Sequence, residues 1–255
     1  MTARLRDEAG LIRLAALFMT RLPVRVEAEY SPERMRLASA WFPLVGLGIG
    51  AVLALAYGLA ALVFPPLVAA LLAVALGVRL TGALHEDGLA DIADGLGGAA
   101  DRARAMEIMR DSRIGSYGAV ALGLVLAVKV AALSHLGSAA MAGLIAAHGL
   151  SRLSPVLMMA RLPYARSDGK AAFAGTGPGP RGLRIALATS GVTLLGLGLT
   201  VGPVAALVTL IALAAVLIRM EAMFRWRLGG YTGDGLGAVQ QLSETAVLLA
   251  ILACV

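Results

Sequence analysis

Four acidic residues fall within nine positions of His85-Glu-Asp-Gly-Leu-Ala-Asp-Ile-Ala-Asp-Gly95, directly after an apolar run. Three of them, Asp87, Asp91 and Asp94, are spaced i, i+4 and i+7. On a helix advancing about 100° per residue they share one face, within an arc of roughly 60°. Carboxylates placed this way repel one another unless a cation lies among them. An oxygen-only ligand set selects a hard cation, Mg²⁺ or Mn²⁺. In a membrane protein such a face points to work on phosphate esters or to movement of cations.

Other polar segments extend this chemistry. Gly95, Gly97 and Gly98 predict the end of the acidic helix. Asp101 is a suitable N-cap for a second helix over 102–111. Arg110 and Arg113 flank Asp111 near its end, and arginines a turn from a metal suit a diphosphate. For Arg102, Arg104 and Glu107 a solvated loop helix with surface ion pairs is the alternative to a place beside the substrate. The Gly/Pro-rich loop 163–182, with Asp168 and Lys170, reads equally as a lid over an anionic substrate or as a linker. Thr232-Gly-Asp234-Gly opens an apolar segment, so Asp234 is either a first-turn carboxylate facing the site or a plain N-cap. Glu244 lies about ten residues further on and requires a partner. Lys129 and Arg152 are candidates to pair with it, or to face a phosphate in a cavity. His148, one turn from Arg152, reads as a satisfied core histidine.

These clusters must be held by a membrane bundle. Of the 255 residues, 59% are apolar and 15% charged, with a mean hydropathy of +0.83, outside the range of ordinary soluble domains. The 31 glycines, many in apolar runs, predict close helix approach. Cys254 is the only cysteine, so no intrachain disulfide forms. The expected fold is all-α, one polytopic transmembrane domain over 1–255 with about seven spans: Leu37–Phe64, Pro66–Leu84, Tyr117–Leu136, Ser138–Leu162, Leu183–Val201, Pro203–Phe224 and Leu236–Val255. The last is the weakest, because Gln240, Gln241, Ser243 and Glu244 interrupt it. Leu11, Leu14, Ala15, Phe18 and Leu22 keep helical spacing, but Arg13 breaks the run. This suits an amphipathic interfacial helix or a short helix packed on the bundle, rather than a cleaved signal.

Charge orients the spans. Residues 1–36 carry seven arginines. Basic residues recur in 85–116, 161–184 and 219–231, whereas the connections near Pro65, Gly137 and Gly202 carry no charge. The positive-inside rule therefore predicts a cytoplasmic N-terminus, cytoplasmic catalytic loops and an outward C-terminus. It accounts for the net charge of +6 without nucleic acid as a partner.

The acidic segment His85–Gly95, the later Met106-Glu-Ile-Met-Arg-Asp-Ser-Arg-Ile-Gly115 and Gly229-Gly-Tyr-Thr-Gly-Asp-Gly-Leu-Gly-Ala238 resemble the cobalamin synthase family, also called adenosylcobinamide-GDP ribazoletransferase. Phe18-Met-Thr-Arg-Leu-Pro23 and Phe42-Pro-Leu-Val-Gly46 look like the family's opening segments. The likeness runs from about residue 10 to 245 and is loose only over 163–182. It implies a bacterial or archaeal inner-membrane enzyme that needs Mg²⁺. Such an enzyme joins adenosylcobinamide-GDP to α-ribazole, or to its 5′-phosphate, and releases GMP. On this reading Asp87, Asp91 and Asp94 hold the metal, with Asp111 or Asp234 as further ligands. His85 and Glu86 join the aspartates as candidate catalytic groups. Arg110, Arg113, Lys129, Arg152 and Thr232 face substrate phosphates. The lipid bilayer is a partner; a homo-oligomer and association with other corrinoid-pathway enzymes stay open.

Three other functions compete. A CDP-alcohol phosphotransferase-like lipid synthase uses the same aspartate–Mg²⁺ logic, but with a longer two-helix aspartate pattern. A cation or corrinoid transporter would line a path with Asp87 and Glu244, yet the polar clusters lie on one side only. A membrane scaffold leaves the three-aspartate face unexplained.

Overall fold

The computed structural model of the protein describes residues 3–25, 31–166 and 177–255. Twelve α-helices follow one another among the described residues: α1 (Ala3–Met19), α2 (Pro32–Ala38), α3 (Phe42–Ala61), α4 (Pro66–Thr81), α5 (Leu84–Gly98), α6 (Arg102–Ile108), α7 (Ser116–His135), α8 (Ala140–Ser151), α9 (Leu153–Arg161), α10 (Gly179–Thr200), α11 (Pro203–Leu228) and α12 (Gly233–Leu252). Among those residues the only β pairing is an isolated bridge, Tyr164 to Tyr231. The all-α polytopic bundle is as the composition predicts.

Proline and serine place several helix starts. Pro66 and Pro203 open α4 and α11 just past the uncharged turns, where a missing N–H leaves no bond unmade. Ser31 caps α2 by accepting from Arg34 N at 3.1 Å, and Asp101 caps α6 by accepting from Arg104 N at 2.9 Å. The glycines do bring helices together: a Cβ on Gly46 would lie 2.2 Å from the His148 carbonyl oxygen, and one on Gly50 would lie 2.8 Å from Ile145 Cα. α3 and α8 therefore meet backbone to backbone, as small residues four apart allow.

Five helices are each long and apolar enough to cross a membrane: Pro32–Ala61, Ser116–His135, Gly179–Thr200, Pro203–Leu228 and Gly233–Leu252. A sixth, Pro66–Thr81, qualifies only together with α5, which leaves it at 89°. The expected span Ser138–Leu162 is instead two short helices, of 12 and 9 residues, that meet at Arg152. Pro155 explains the break: it has no N–H for the Ser151 carbonyl to receive. The expected seven uniform spans thus become five, or six with the bent pair, plus a broken α8–α9 segment.

α12, the segment with the most polar sequence, is the most enclosed: 72% of its apolar window is buried, against 22% for α7. Its Gln240, Gln241, Ser243 and Glu244 face protein rather than lipid. α1 packs on the bundle through Leu11, Leu14, Ala15 and Met19, the second of the two readings its sequence permits.

The charge-rich connections gather at one end. Arg21 N donates to Leu80 O, Arg36 Nη1 to Gly177 O, Arg102 Nη2 to Ala165 O, Arg225 Nη2 to Arg161 O and Arg227 Nη2 to Ala99 O.

Candidate functional site

Two local devices build the site at that end. The first is the bend between α4 and α5. Gly82 (φ 65°) and Ala83 (φ 58°) are both left-handed. Glycine adopts this readily, and alanine only where its surroundings hold it. The turn swings α5 across the end of the bundle, onto the start of α12. There Gly88 has no room for a side chain: a Cβ would lie 2.7 Å from Asp234 O. One turn on along α12, a Cβ on Gly237 would lie 3.1 Å from His85 O. The two glycines let the acidic helix and the Asp234 helix touch, so residues 147 positions apart in sequence share a pocket.

The second device is the Gly229–Asp234 turn. Gly229 (φ 70°) ends α11 in the left-handed conformation. Gly230 (φ 159°) lies where a Cβ would sit 2.2 Å from Pro163 O. That approach lets Tyr231 N donate to Pro163 O at 3.0 Å and Ala165 N donate to Tyr231 O at 2.8 Å. Thr232 then caps α12, its Oγ1 accepting from Gly235 N at 3.0 Å. The result places Arg166 beside Asp234, Nη2 to Oδ2 2.7 Å.

The pocket between these devices has a volume of about 340 Å³. Asp87, Asp234, Arg166, His85 and Arg152 line its polar side, and Phe18, Phe42 and Tyr164 its apolar side. Asp91, the next turn of α5, feels the charges of Asp234, Asp87, Arg166 and Asp94. Two carboxylates from two helices, Asp87 and Asp234, therefore share the pocket with the Arg166 and Arg152 guanidiniums, and Asp91 lies in their electrostatic field. Among the described residues no group of three or more His, Cys, Asp or Glu side chains is placed to hold a metal ion by itself. This donor set nevertheless fits Mg²⁺, which takes one or two carboxylates, keeps waters and draws its remaining ligands from substrate phosphates.

Beside it, a wide hollow of about 380 Å³ is lined by Arg102, Arg110 and Arg166, with Met106 and Ala165. Arg166 belongs to both hollows, and its buried Nε has no partner.

Beneath the pocket lies a buried ionic network. Glu244 holds Lys129 Nζ at 2.5 Å and Arg152 Nη1 at 3.2 Å, and accepts from Gln240 Nε2 at 2.6 Å. Arg152 Nη1 also donates to His148 Nδ1 and His148 O, each at 2.9 Å. Lys129 Nζ donates to Gln241 Oε1 at 2.9 Å, and Gln241 Nε2 to Glu86 Oε1 at 3.0 Å. Glu86 and Glu244 match the charges of Lys129 and Arg152, as buried ions require. The pairing expected of Lys129 and Arg152 with Glu244 is present, and His148 is a hydrogen-bonded core residue. The network encloses a cavity of only about 20 Å³, room for about one water.

The residues singled out in the sequence thus fall into different places. His85, Asp87, Arg152 and Asp234 line the pocket, with Asp91 beside them. Asp94 turns away: its Oδ2 accepts from Gly115 N at 2.7 Å and its Oδ1 from Gly118 N at 2.8 Å, so it caps the start of α7. The shared helix face was correctly spaced, but the third carboxylate is spent on a neighbouring helix. Asp111 and Arg113 bond each other on the surface, 2.6 Å apart. The Arg113 guanidinium and N–H hold the Asp111 carboxyl down at about 2. Neither residue lines either hollow. Thr232, rather than Asp234, is the cap, and its hydroxyl oxygen is engaged there instead of at a phosphate. Lys129 is buried against Glu244, and Glu86 against Gln241, outside the pocket. Asp168 and Lys170 lie outside the described residues. Arg102, weighed in the sequence as a residue near the phosphates or a surface ion-pair residue, lines the second hollow. Arg166, Phe18, Phe42 and Tyr164 carry no local signal for a site role, and the two signals for 163–166 are the lid reading of the 163–182 loop and Gly229-Gly230, which permits the Tyr231 bridge.

The chain matches the family model for cobalamin-5-phosphate synthase over residues 11–252. It is 46% identical to a protein of Leptothrix cholodnii named adenosylcobinamide-GDP ribazoletransferase, over 98% of each chain. Proteins of the same name from Azorhizobium caulinodans (45% identical, 93% of each chain) and Shewanella amazonensis (40%, over 97% of this chain and 96% of that one) are also similar. No solved structure matches.

Proposed function

The chain belongs to the cobalamin-5-phosphate synthase family, an enzyme family of cobalamin biosynthesis, and from that premise we propose that it joins adenosylcobinamide-GDP to α-ribazole, or to α-ribazole 5′-phosphate, with Mg²⁺ and release of GMP. The observation that carries this reading is the meeting of Asp87 with Asp234 and Arg166 at one pocket, from α5, α12 and the 163–166 segment, with Asp91 in their electrostatic field one turn along α5.

A ribose hydroxyl of the acceptor, one that is free in both α-ribazole and its 5′-phosphate, attacks through its oxygen at the phosphorus nearest the corrinoid. A new P–O bond forms as the bridging P–O bond of the diphosphate breaks. GMP leaves with that electron pair, and the hydroxyl proton passes to solvent through a carboxylate of the pocket or His85. Asp87, Asp91 and Asp234 would hold Mg²⁺, which supplies neutralisation of the diphosphate charge. Arg166 orients a phosphoryl oxygen while its pairing with Asp234 keeps the guanidinium in place. Arg152 closes the floor of the pocket and is fixed from behind by Glu244. The site faces the cytoplasm, at the end where the basic connections gather.

A turnover assay on detergent-purified or liposome-held protein tests this. With adenosylcobinamide-GDP, α-ribazole and Mg²⁺, equimolar adenosylcobalamin and GMP should accumulate. EDTA should stop the reaction, and Asp91→Asn should slow it by about a hundredfold or more. A well-folded wild-type protein that makes neither product would reject the assignment and direct attention to CDP-linked alcohols, then to vesicle uptake.

A further inference from the structure

Resting on that reading, we propose that the two substrates occupy separate hollows that meet at Arg166: the acceptor's aromatic base against Phe18 and Phe42, and the donor's guanosine monophosphate portion along Arg102 and Arg110.

The two hollows differ in chemistry. In the 340 Å³ pocket, the Phe18 and Phe42 rings lie parallel, with centroids 5.8 Å apart. They supply aromatic lining in the same pocket as Asp87 and Asp234. A neutral nucleoside matches that division. Its base stacks on a ring wall, which is tolerant of base identity but selective for aromaticity. Its ribose hydroxyls reach the carboxylates across the pocket.

The 380 Å³ hollow is the reverse. Among the described residues its charged lining is Arg102, Arg110 and Arg166. It is wide and open, and three guanidiniums suit a phosphorylated ligand. Arg102 is anchored by its bond to Ala165 O at 2.9 Å, so part of this wall is pre-set.

Arg166 stands between the two. One nitrogen holds Asp234 at 2.7 Å, and its Nε is buried with no acceptor. A buried donor without a partner is disfavoured unless a ligand supplies the acceptor. An oxygen of the reacting phosphate would fill that role, and the attacking hydroxyl and the leaving nucleotide would then lie on opposite sides of it. In-line displacement requires that disposition.

The test separates the substrates. On the full-length protein in detergent, KM is measured for each substrate, and binding of GMP and of α-ribazole is measured by calorimetry. Phe18→Leu should raise the KM and weaken binding of α-ribazole by about tenfold, leaving GMP unchanged, and Phe18→Tyr should restore it. Arg110→Gln should raise the KM for adenosylcobinamide-GDP and weaken GMP by about tenfold, leaving α-ribazole unchanged, with Arg110→Lys in between. Opposite selectivity, or both ligands weakening together in either folded variant, would overturn the assignment while wild-type turnover still stood. Selective binding without wild-type turnover would instead sink the proposed reaction and leave the two-hollow assignment intact.

Discussion

Asp91 and Asp94 lie three residues apart on one helix and do different work. Asp94 spends both oxygens on the N–H groups of Gly115 and Gly118, whereas Asp91 lies in the electrostatic field of Asp234 and Asp87. Asp94→Asn keeps one acceptor but loses the charge, so it should lower stability by about 1–3 kcal/mol. It should leave the Mg²⁺ concentration for half-maximal rate unchanged, while Asp91→Asn raises it. A matched shift in both variants would place Asp94 among the metal ligands after all. Glu244 is the residue on which the buried charges depend, touching Lys129 and Arg152 together. Its conversion to Gln strands two cations inside the bundle, and a loss of about 3–5 kcal/mol is expected. Glu244→Gln combined with Lys129→Met should recover part of this in thermal unfolding. If the double variant is no more stable than Glu244→Gln alone, the ion pair is not what holds this region.

Among the elements, the crossing of α3 and α8 is set by the absence of side chains. At Gly46 an added methyl meets the His148 carbonyl and the Arg152 side chain, at 2.2 and 2.4 Å. A backbone carbonyl cannot step aside as a flexible side chain does. Gly46→Ala should therefore destabilise by about 1–3 kcal/mol and also impair turnover, because the displaced Arg152 closes the pocket floor. Gly48, on the same helix two residues on, has nothing within 4 Å of such a methyl. Gly48→Ala should be near neutral in both thermal unfolding and turnover. Equal effects of the two substitutions would show that helix propensity rather than close approach is being measured.

For the molecule as a whole, the charged connections and the site share one end, and the uncharged turns form the other. Cys254, the only cysteine, lies past the end of α12 at the end opposite the site. An impermeant maleimide should label it in right-side-out spheroplasts and spare it in sealed inverted vesicles. A cysteine introduced at Ser112, in a Cys254→Ser background, should behave in the opposite way. Labelling of both from the same side would contradict the proposal that the site faces the cytoplasm with Cys254 across the membrane from it.

The class of fold, the acidic helix, the cap at Asp101 and the family were legible in the sequence alone. These depend on local spacing and composition, and spacing of aspartates, glycines and arginines is readable one residue at a time. Even the pairing of Glu244 with Lys129 and Arg152 was legible, because a buried acid in a bundle has few partners to choose from. Tertiary structure alone decided which carboxylates meet. The left-handed pair Gly82–Ala83 turns α5 by about a right angle, and the Gly88 and Gly237 contacts then bring Asp87 to Asp234 while Asp94 faces α7. Neither the direction of that turn nor the seating of Arg166 by the Tyr231 bridge follows from periodicity. Both arise from contacts between segments far apart in the chain, where the partner's backbone, not the residue's own neighbours, sets the geometry.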